Sequence, residues 1–335
     1  MPSRRVDPLV LADAVLRGER TALARAITVV ESTRADDRDA AERLLARLLP
    51  GAGGATRLGI SGAPGVGKST FIEAFGLMLI DAGHRVAVLA VDPSSKQAGG
   101  SILGDKTRMP RLSQSSAAFI RPSPAGGSLG GVARRTGEAM LVAEAAGFDI
   151  VIVETVGVGQ SETTVADMVD LFLLLIAPGG GDELQGIKRG IVELADLVVI
   201  TKDDGDLAPA ARRAVADYRH ALRLFSPGPS GDWVEAVSVS ALTGKGLDAV
   251  WQIAVQRLDA ARAEGRFAAR RAGQALAALW REINAGLIER FQADEAAAGA
   301  LRALEVKVAE GKLTPAAAAR QALNAFAAEQ PGRTR

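Results

Sequence analysis

The sequence predicts an α/β fold in which a mostly parallel sheet is covered by helices on both faces. First, short apolar runs alternate with helical segments between residues 55 and 264. Parallel strands are buried on both faces, so runs that are apolar at nearly every position are typical of them. Second, a glycine-rich segment that ends in Lys68 and Ser69 follows the first run directly. Third, both ends of the chain show helical periodicity alone, which predicts a helical extension on each side of the sheet domain.

The N-terminal extension, residues 1–54, is predicted to consist of helices. Leu23, Ile27 and Val30 fall at helical spacings, as do Leu44 and Leu48. A proline followed by a glycine-rich stretch at residues 50–54 interrupts this periodicity. We therefore expect a linker there, before the sheet domain begins.

The central domain, residues 55–264, contains the strand-like runs. The predicted strands are Arg57–Ser61, Arg85–Asp92, Asp149–Glu154, Leu171–Ala177, Leu197–Thr201 and Val234–Ser240. In open parallel sheets, ligands bind beyond the carboxyl ends of the strands. Functional residues are therefore sought at those ends.

The C-terminal segment, residues 265–335, returns to helix. Apolar side chains at steps of three and four form a stripe of Leu276, Trp280, Ile283, Leu287 and Phe291. Such an apolar stripe is expected to pack against another apolar surface. The sequence leaves open whether it packs on a core of its own or on a second subunit.

Composition excludes several classes of function. A net charge of +1 gives no electrostatic reason to expect nucleic acid or a membrane as a partner. No apolar run approaches the ~18 residues of a membrane-spanning helix, and the N-terminus lacks the apolar core of a secretion signal. The absence of cysteine excludes disulfides and thiolate metal sites, and the histidines are His84 and His220. These features indicate a cytoplasmic enzyme.

The glycine-rich segment is a phosphate-binding loop. Residues 62–69 match the P-loop pattern G-x-x-x-x-G-K-[ST] in full, between a strand-like run and a helical stretch. Backbone N–H groups of such a loop surround a phosphate chain at the positive end of the following helix. We expect Lys68 to reach the β- and γ-phosphates and the Ser69 hydroxyl to bind Mg²⁺. The predicted loop residues are Gly62, Ala63, Pro64, Gly65, Val66, Gly67, Lys68 and Ser69.

A second motif predicts which base is bound. Thr201, Lys202 and Asp204 stand where guanine-nucleotide proteins carry N-K-x-D. A carboxylate at Asp204 can accept from N1–H and N2–H₂ of guanine together, whereas adenine offers no such pair of donors. The Lys202 stem would lie along the base, and Thr201 replaces the usual Asn, so the two-sided bonding of an amide is lost. A later strand ends in Ser240, Ala241 and Leu242, which resemble the backbone-donating loop that contacts guanine O6.

Carboxylates at other strand ends are candidates for metal binding and hydrolysis. Glu154 is placed to hold Mg²⁺ directly or through water. Asp92 could orient the attacking water or anchor Mg²⁺ through water, and Asp105 is a second outer candidate for the metal. Gln160 could position water, although its offset from Gly157 differs from that of small signalling GTPases. The predicted reaction is in-line attack of water on the γ-phosphate.

Several of these segments together resemble the MeaB/ArgK family, G-protein chaperones of methylmalonyl-CoA mutase. The resemblance is carried by residues 91–95, 99–109, 119–124, 154–162 and 181–188. It extends from the N-terminal helices to about residue 260. Over the C-terminal helices it depends on the order of the predicted helices more than on particular residues. Glycines in three of the flanking segments, residues 96–108, 157–162 and 179–190, permit the alternative conformations of nucleotide-dependent switches.

The resemblance implies a SIMIBI-class P-loop GTPase that forms homodimers through a C-terminal helical arm. Its partner would be an adenosylcobalamin-dependent acyl-CoA mutase, whose cofactor loading it would gate. The resemblance adds Thr70 to the nucleotide site and places Lys188 in a switch that senses the mutase. By the same resemblance, Ser69, Asp92, Asp105 and Glu154 surround Mg²⁺.

Three alternatives stay open at this stage. Older labels for the family describe a kinase of periplasmic amino-acid-binding transport proteins, but no acceptor pocket or catalytic base can be named. A nickel- or zinc-delivering GTPase would generally show cysteine or histidine clusters. A non-catalytic dimeric module is disfavoured because Lys68, Ser69 and Glu154 are all present.

Overall fold

The computed structural model describes residues 7–32, 34–91, 109–122, 129–155, 161–179, 189–222 and 233–328. Within these ranges lies a sheet of seven strands in the order β3-β2-β4-β1-β5-β6-β7, with every neighbouring pair parallel. The strands are β1 Thr56–Gly62, β2 Val86–Val91, β3 Ala118–Pro122, β4 Ile150–Thr155, β5 Leu171–Ile176, β6 Leu197–Ile200 and β7 Glu235–Ser238. The predicted parallel sheet is confirmed, and every predicted strand is present with ends that differ by no more than two residues.

The sequence-based prediction missed β3. This strand is short, and its last residues are Arg121 and Pro122, so it lacks a continuous apolar run. Among the described strands it pairs with β2 alone, and it forms one edge of the sheet. An edge strand tolerates a charged residue and a proline that cannot donate a hydrogen bond, because one side of its backbone has no neighbour.

The helices follow the predicted pattern at both ends of the chain and between the strands. In chain order they are α1 Pro8–Leu16, α2 Arg20–Val30, α3 Ala35–Leu48, α4 Lys68–Asp81, α5 Pro110–Gln114, α6 Leu129–Ala145, α7 Ser161–Ala166, α8 Arg189–Val192, α9 Ala208–Leu222, α10 Leu247–Ala263, α11 Arg266–Ala293, α12 Glu295–Ala309 and α13 Pro315–Ala328. Short 3₁₀ turns lie at Leu49–Gly51 and Gly205–Leu207.

The sheet separates two apolar layers because successive side chains of a strand point to opposite faces. On one face, Ile60 of β1 and Ile152 of β4 pack with Phe71 and Phe75 of α4, together with α5 and α10. On the other face, the strands pack against α6, α7, α9 and the N-terminal helices. Leu23 and Leu44 from those N-terminal helices are almost fully buried in this second layer. The N-terminal extension therefore shares its core with the sheet.

The chain divides into two compact units, residues 1–274 and 275–335. The second unit has a small core of its own, formed by Leu304, Ala318 and Ala322 with Phe291 packed against them. The predicted division at residues 54 and 264 stays a prediction. No described helix is both long and apolar enough to cross a membrane.

Candidate functional site

The glycine-rich loop lies between the carboxyl end of β1 and the first turn of α4. Gly67, the residue before α4, has a φ of +97°, which side chains other than glycine rarely adopt. At Gly62, an added Cβ would lie 2.5 Å from the carbonyl oxygen of Leu175 on β5. Both glycines are thus required by the backbone path. The first N–H groups of α4 have no partner within the helix, so they are available to an anion at this point.

Lys68 and Ser69 lie in the first turn of α4, where the sequence predicted phosphate and metal contacts. The Lys68 ammonium donates to the carbonyl oxygens of Gly62 at 2.6 Å and Ala63 at 3.3 Å. It is therefore held against the loop rather than extended into solvent. Ser69 is half-buried and Thr70 is exposed, both at the same helix end, while Val66 is buried under the loop.

The segment after β6 is tied to this loop by two side chains. The Thr201 hydroxyl donates to the carbonyl oxygens of Val66 at 2.8 Å and Ile176 at 3.3 Å. The Lys202 ammonium donates to the carbonyl oxygen of Gly65 at 3.0 Å. Lys202 has a φ of +59°, and no other described non-glycine residue has a positive φ. The hydroxyl of Thr201 thus makes a direct connection to the phosphate-binding loop in the place where Asn is usual.

Asp204 is joined to the segment after β7. Its Oδ2 accepts a hydrogen bond from the Ser240 hydroxyl. Ser240 is fully buried, Ala241 is half-buried and Leu242 is 79% exposed. Since the Ser240 N–H donates to the carbonyl oxygen of Lys245 at 2.9 Å, it is not free for a ligand. Any backbone donation to a base from this segment would have to come from Ala241 or Leu242.

Asp203, the neighbour of Asp204, is 3% exposed. Its Oδ2 accepts from the Ser238 hydroxyl at 2.8 Å and from the Lys245 ammonium at 2.7 Å. Desolvation opposes ionisation of this carboxyl. The hydrogen bonds from Lys245 and Ser238, and the charges of Lys245 and Arg212, outweigh it and hold the pKa of Asp203 below its usual range. The carboxyl is therefore an anion at neutral pH.

Glu154 lies at the carboxyl end of β4, in register with Ile60 of β1. Ile150 and Ile152 face α4, and because side chains alternate, Glu154 extends that row at its carboxyl end. It thus lies on the face of the sheet that α4, the helix that carries Ser69 in its first turn, covers. On the other face, the Thr155 hydroxyl donates to the Ser61 hydroxyl at 2.8 Å and joins the ends of β4 and β1.

The donor atoms fit magnesium. Among the described residues, no group of three or more His, Cys, Asp or Glu side chains is placed to hold a metal. Mg²⁺ in nucleotide sites takes only one or two protein oxygens, and phosphate oxygens and waters complete its octahedron. A serine hydroxyl and a carboxylate on one face, Ser69 and Glu154, match that requirement.

Several predicted site residues lie outside the described residues. These are Asp92, Asp105, Gln160 and Lys188, together with most of the three predicted switch segments. Sequence reasoning assigned no role to Asp203, Lys245, Ser61 or Thr155. Apolar periodicity gives no signal for such side chains, because their partners come from other strands and loops. The candidate site therefore consists of the glycine-rich loop, two further loops that are hydrogen-bonded to it in series, and one strand-end carboxylate.

Comparison with known proteins gives consistent findings. A family model described as "Methylmalonyl Co-A mutase-associated GTPase MeaB" matches residues 23–296. The chain is 56% identical over 327 residues to a Caulobacter vibrioides protein named "Putative GTPase", covering 97% of this chain and 99% of that protein. It is 48% identical over 326 residues to the Mus musculus "Methylmalonic aciduria type A homolog, mitochondrial", covering 94% of this chain and 79% of that protein. A solved structure, "Crystal structure of LAO/AO transport system kinase", superimposes with a TM-score of 0.76 at 36% identity and covers 98% of this chain and 100% of that one.

Proposed function

Because this chain belongs to the MeaB family of methylmalonyl-CoA mutase-associated GTPases and is a GTP hydrolase with a P-loop fold, we propose that it is a G-protein chaperone of an adenosylcobalamin-dependent acyl-CoA mutase. It would gate cofactor loading and protect or reactivate the mutase, with GTP hydrolysis as the timing step. The observation that carries the proposal is the family match over residues 23–296. The name of the mouse relative, which refers to methylmalonic aciduria, supports it. A cytoplasmic location belongs to the same proposal.

The proposed nucleotide site uses the loops that the hydrogen bonds join in series. Residues 62–70 would surround the phosphates, and Lys68 would turn its ammonium from the loop carbonyls to the β- and γ-phosphates. Asp204, already oriented by Ser240, would accept from the N1–H and N2–H₂ edge of guanine. Because each carboxylate oxygen has two lone pairs, the bond from Ser240 leaves room for the base.

The proposed hydrolysis is in-line attack of water on the γ-phosphate. Ser69 and Glu154 would hold Mg²⁺, with Asp92 and Asp105 as further ligands or water anchors. Mg²⁺ supplies neutralisation of the charge that develops on the phosphate oxygens. Lys68 would stabilise the same charge from the loop side. Lys188 would respond to the mutase and complete the site on binding.

The first test measures steady-state GTP turnover with and without a purified methylmalonyl-CoA mutase. We expect a rise of about 5- to 150-fold, the range typical of coupled sites, because mutase binding would bring Lys188 and the switch segments into the arrangement that hydrolysis needs. An unrelated protein at the same concentration serves as the control. Turnover that is unchanged by the mutase would contradict the chaperone proposal, but it would not affect the assignment of the protein as a GTP hydrolase.

The second candidate function is a protein kinase, favoured by the name of the solved relative, a "LAO/AO transport system kinase". The two candidate functions differ in the destination of the γ-phosphate. With γ-labelled GTP and an amino-acid-binding transport protein, label in inorganic phosphate supports the hydrolase and label on the protein supports the kinase.

We further propose that the protein is a homodimer formed through α11. Leu276, Leu279, Trp280 and Leu287 on this helix are 51–63% exposed, whereas Phe291 near its end is packed in the core of its own unit. A row of large exposed side chains is typical of a protein–protein contact. The part of the predicted stripe before Phe291 is thus the surface that a second subunit would cover.

The dimer proposal is tested by replacing Trp280 with glutamate. Trp280 is 63% exposed, so we expect the protomer to fold while the dissociation constant of the dimer rises about 30-fold or more. Sedimentation equilibrium measures this. Leu323→Glu is the matched control, since Leu323 is 57% exposed on a different helix, α13. A wild-type protein that is monomeric at micromolar concentration would contradict the proposal.

A further inference from the structure

Two adjacent carboxylates, Asp203 and Asp204, are both attached to the segment after β7, and the proposed function uses only one of them. Asp204, the proposed acceptor for the guanine edge, accepts from Ser240. Asp203 accepts from Ser238 and Lys245 on the other side of that segment. A buried anion with two donors is costly to place in a protein interior unless its partners are fixed. Its burial here therefore needs a structural reason.

The contacts of Asp203 join three elements. Its N–H donates to the carbonyl oxygen of Val239 at 2.9 Å, and its Oδ2 binds Ser238, the last residue of β7. Lys245 reaches the same oxygen from beyond the turn. The other oxygen, Oδ1, has no hydrogen-bond partner within the described residues, and the guanidinium of Arg212 on α9 is 4.0 Å from it. The side chain thus connects the segment after β6 to both ends of the segment after β7.

The turn between Ser240 and Lys245 is closed by backbone hydrogen bonds within it. The Ser240 N–H donates to the Lys245 carbonyl oxygen and the Gly244 N–H donates to the Ser240 carbonyl oxygen, both at 2.9 Å. The turn ends at Gly246, where φ is +78° and an added Cβ would lie 2.4 Å from the Ser238 carbonyl oxygen. The backbone path is therefore constrained at Gly246, and the backbones of Ser240 and Lys245 are bonded directly to each other.

We propose that Asp203 is a positioning residue for base recognition, with Lys245 as its partner. The Asp203–Lys245 pair holds the turn at 240–245 against the loop at 201–204, so that Ser240 and Asp204 keep the geometry needed to bind guanine. Neither Asp203 nor Lys245 contacts the nucleotide in this arrangement. The inference rests on the proposed role of Asp204 as the acceptor for the guanine edge.

The test compares the affinities of GDP and ADP for wild type, Asp203→Asn, Lys245→Met and the double variant, by competition with a fluorescent guanine nucleotide. We expect each single variant to bind GDP about tenfold more weakly, with ADP affinity unchanged, because only the base contacts lose their alignment. The double variant should be no weaker than the weaker single variant, since both substitutions remove one interaction. Single-turnover hydrolysis at saturating GTP separates binding from chemistry: the loss should fall on affinity rather than on the rate constant, because neither side chain would contact the phosphates.

Two further variants separate positioning from a general loss of structure. Lys245→Arg keeps the charge and should restore most of the GDP affinity. Asp206→Asn is the matched control, since Asp206 is an exposed carboxylate in the adjacent 3₁₀ turn, and it should leave the GDP to ADP ratio unchanged. Lys245 is half-exposed, so Lys245→Met tests the pair even if Asp203→Asn fails to fold.

The outcomes distinguish this inference from the proposed function. A wild-type protein that binds ADP as tightly as GDP would overturn the guanine site itself. A wild-type preference for GDP that Lys245→Met leaves unchanged would overturn the positioning role alone. Equal losses of GDP and ADP affinity in the variants would also overturn it, because they would show that the whole site has been disturbed.

Discussion

Replacing Lys68 by alanine is expected to lower the rate constant for GTP hydrolysis about 10²- to 10³-fold, the usual effect of removing one preorganised donor from a transition-state charge. The ammonium lies at the phosphate-binding loop, 2.6 Å from the carbonyl oxygen of Gly62. The negative charge that develops on the γ-phosphate would draw it from that oxygen. Single-turnover hydrolysis at saturating GTP, with and without the mutase, measures the effect.

The fold should survive this substitution. Lys68 donates hydrogen bonds to two loop carbonyls, and the loss of such bonds costs about 1 kcal/mol each, a modest part of the stability of a domain this size. Lys307→Ala on α12 is a matched control, because it removes an exposed lysine from the other compact unit. Hydrolysis that continues at the wild-type rate in Lys68→Ala would remove Lys68 from the mechanism.

The sheet could be predicted from the sequence because burial on both faces imposes an apolar run on each central strand. Residues 171–176 are all buried. The sequence predicts this strand at Leu171–Ala177, which differs from the observed strand by one residue at its carboxyl end. The edge strand β3 was not predicted, because an edge strand does not need an apolar side chain at every position. Arg121 can remain half-buried there, and Pro122 need not donate a backbone hydrogen bond. A strand is thus easier to predict from the sequence when more of its side chains are buried.

The site was predictable to the extent that it is local in sequence. The loop at 62–69 is recognised directly as a motif, because its successive residues would contact one phosphate chain. The sequence indicates that Thr201 lacks the two-sided bonding of an amide, and the structure identifies the carbonyl oxygens of Val66 and Ile176 as the acceptors of its hydroxyl. The role of Asp203 could not be inferred, since its partner Lys245 is 42 residues away in the chain. Only the packing of β7 against β6 brings the two side chains together.

Replacing Asp204 by asparagine is expected to weaken GTP binding about 10- to 100-fold while leaving ATP binding unchanged. A good bidentate contact to a base edge contributes about 1–3 kcal/mol of discrimination, and each 1.4 kcal/mol is a factor of about ten in affinity. An amide keeps one acceptor for N1–H but presents an N–H₂ group to the N2 amine of guanine, so one attractive contact becomes repulsive. The Ser240 hydroxyl, which now donates to Asp204, can still donate to the amide oxygen.

The same substitution makes a second, more specific prediction. Xanthine carries a carbonyl oxygen where guanine carries the N2 amine, so the amide at position 204 could donate to it while accepting from N1–H. We therefore expect Asp204→Asn to bind XTP more tightly than wild type does, by about the factor that GTP loses. Calorimetric titration with GTP, XTP and ATP measures all three, with Asp206→Asn as the control in the same loop. If the affinities of the variant for GTP, XTP and ATP all fell by the same factor, the role of Asp204 would be structural. Guanine would then have to be recognised by other residues of the chain.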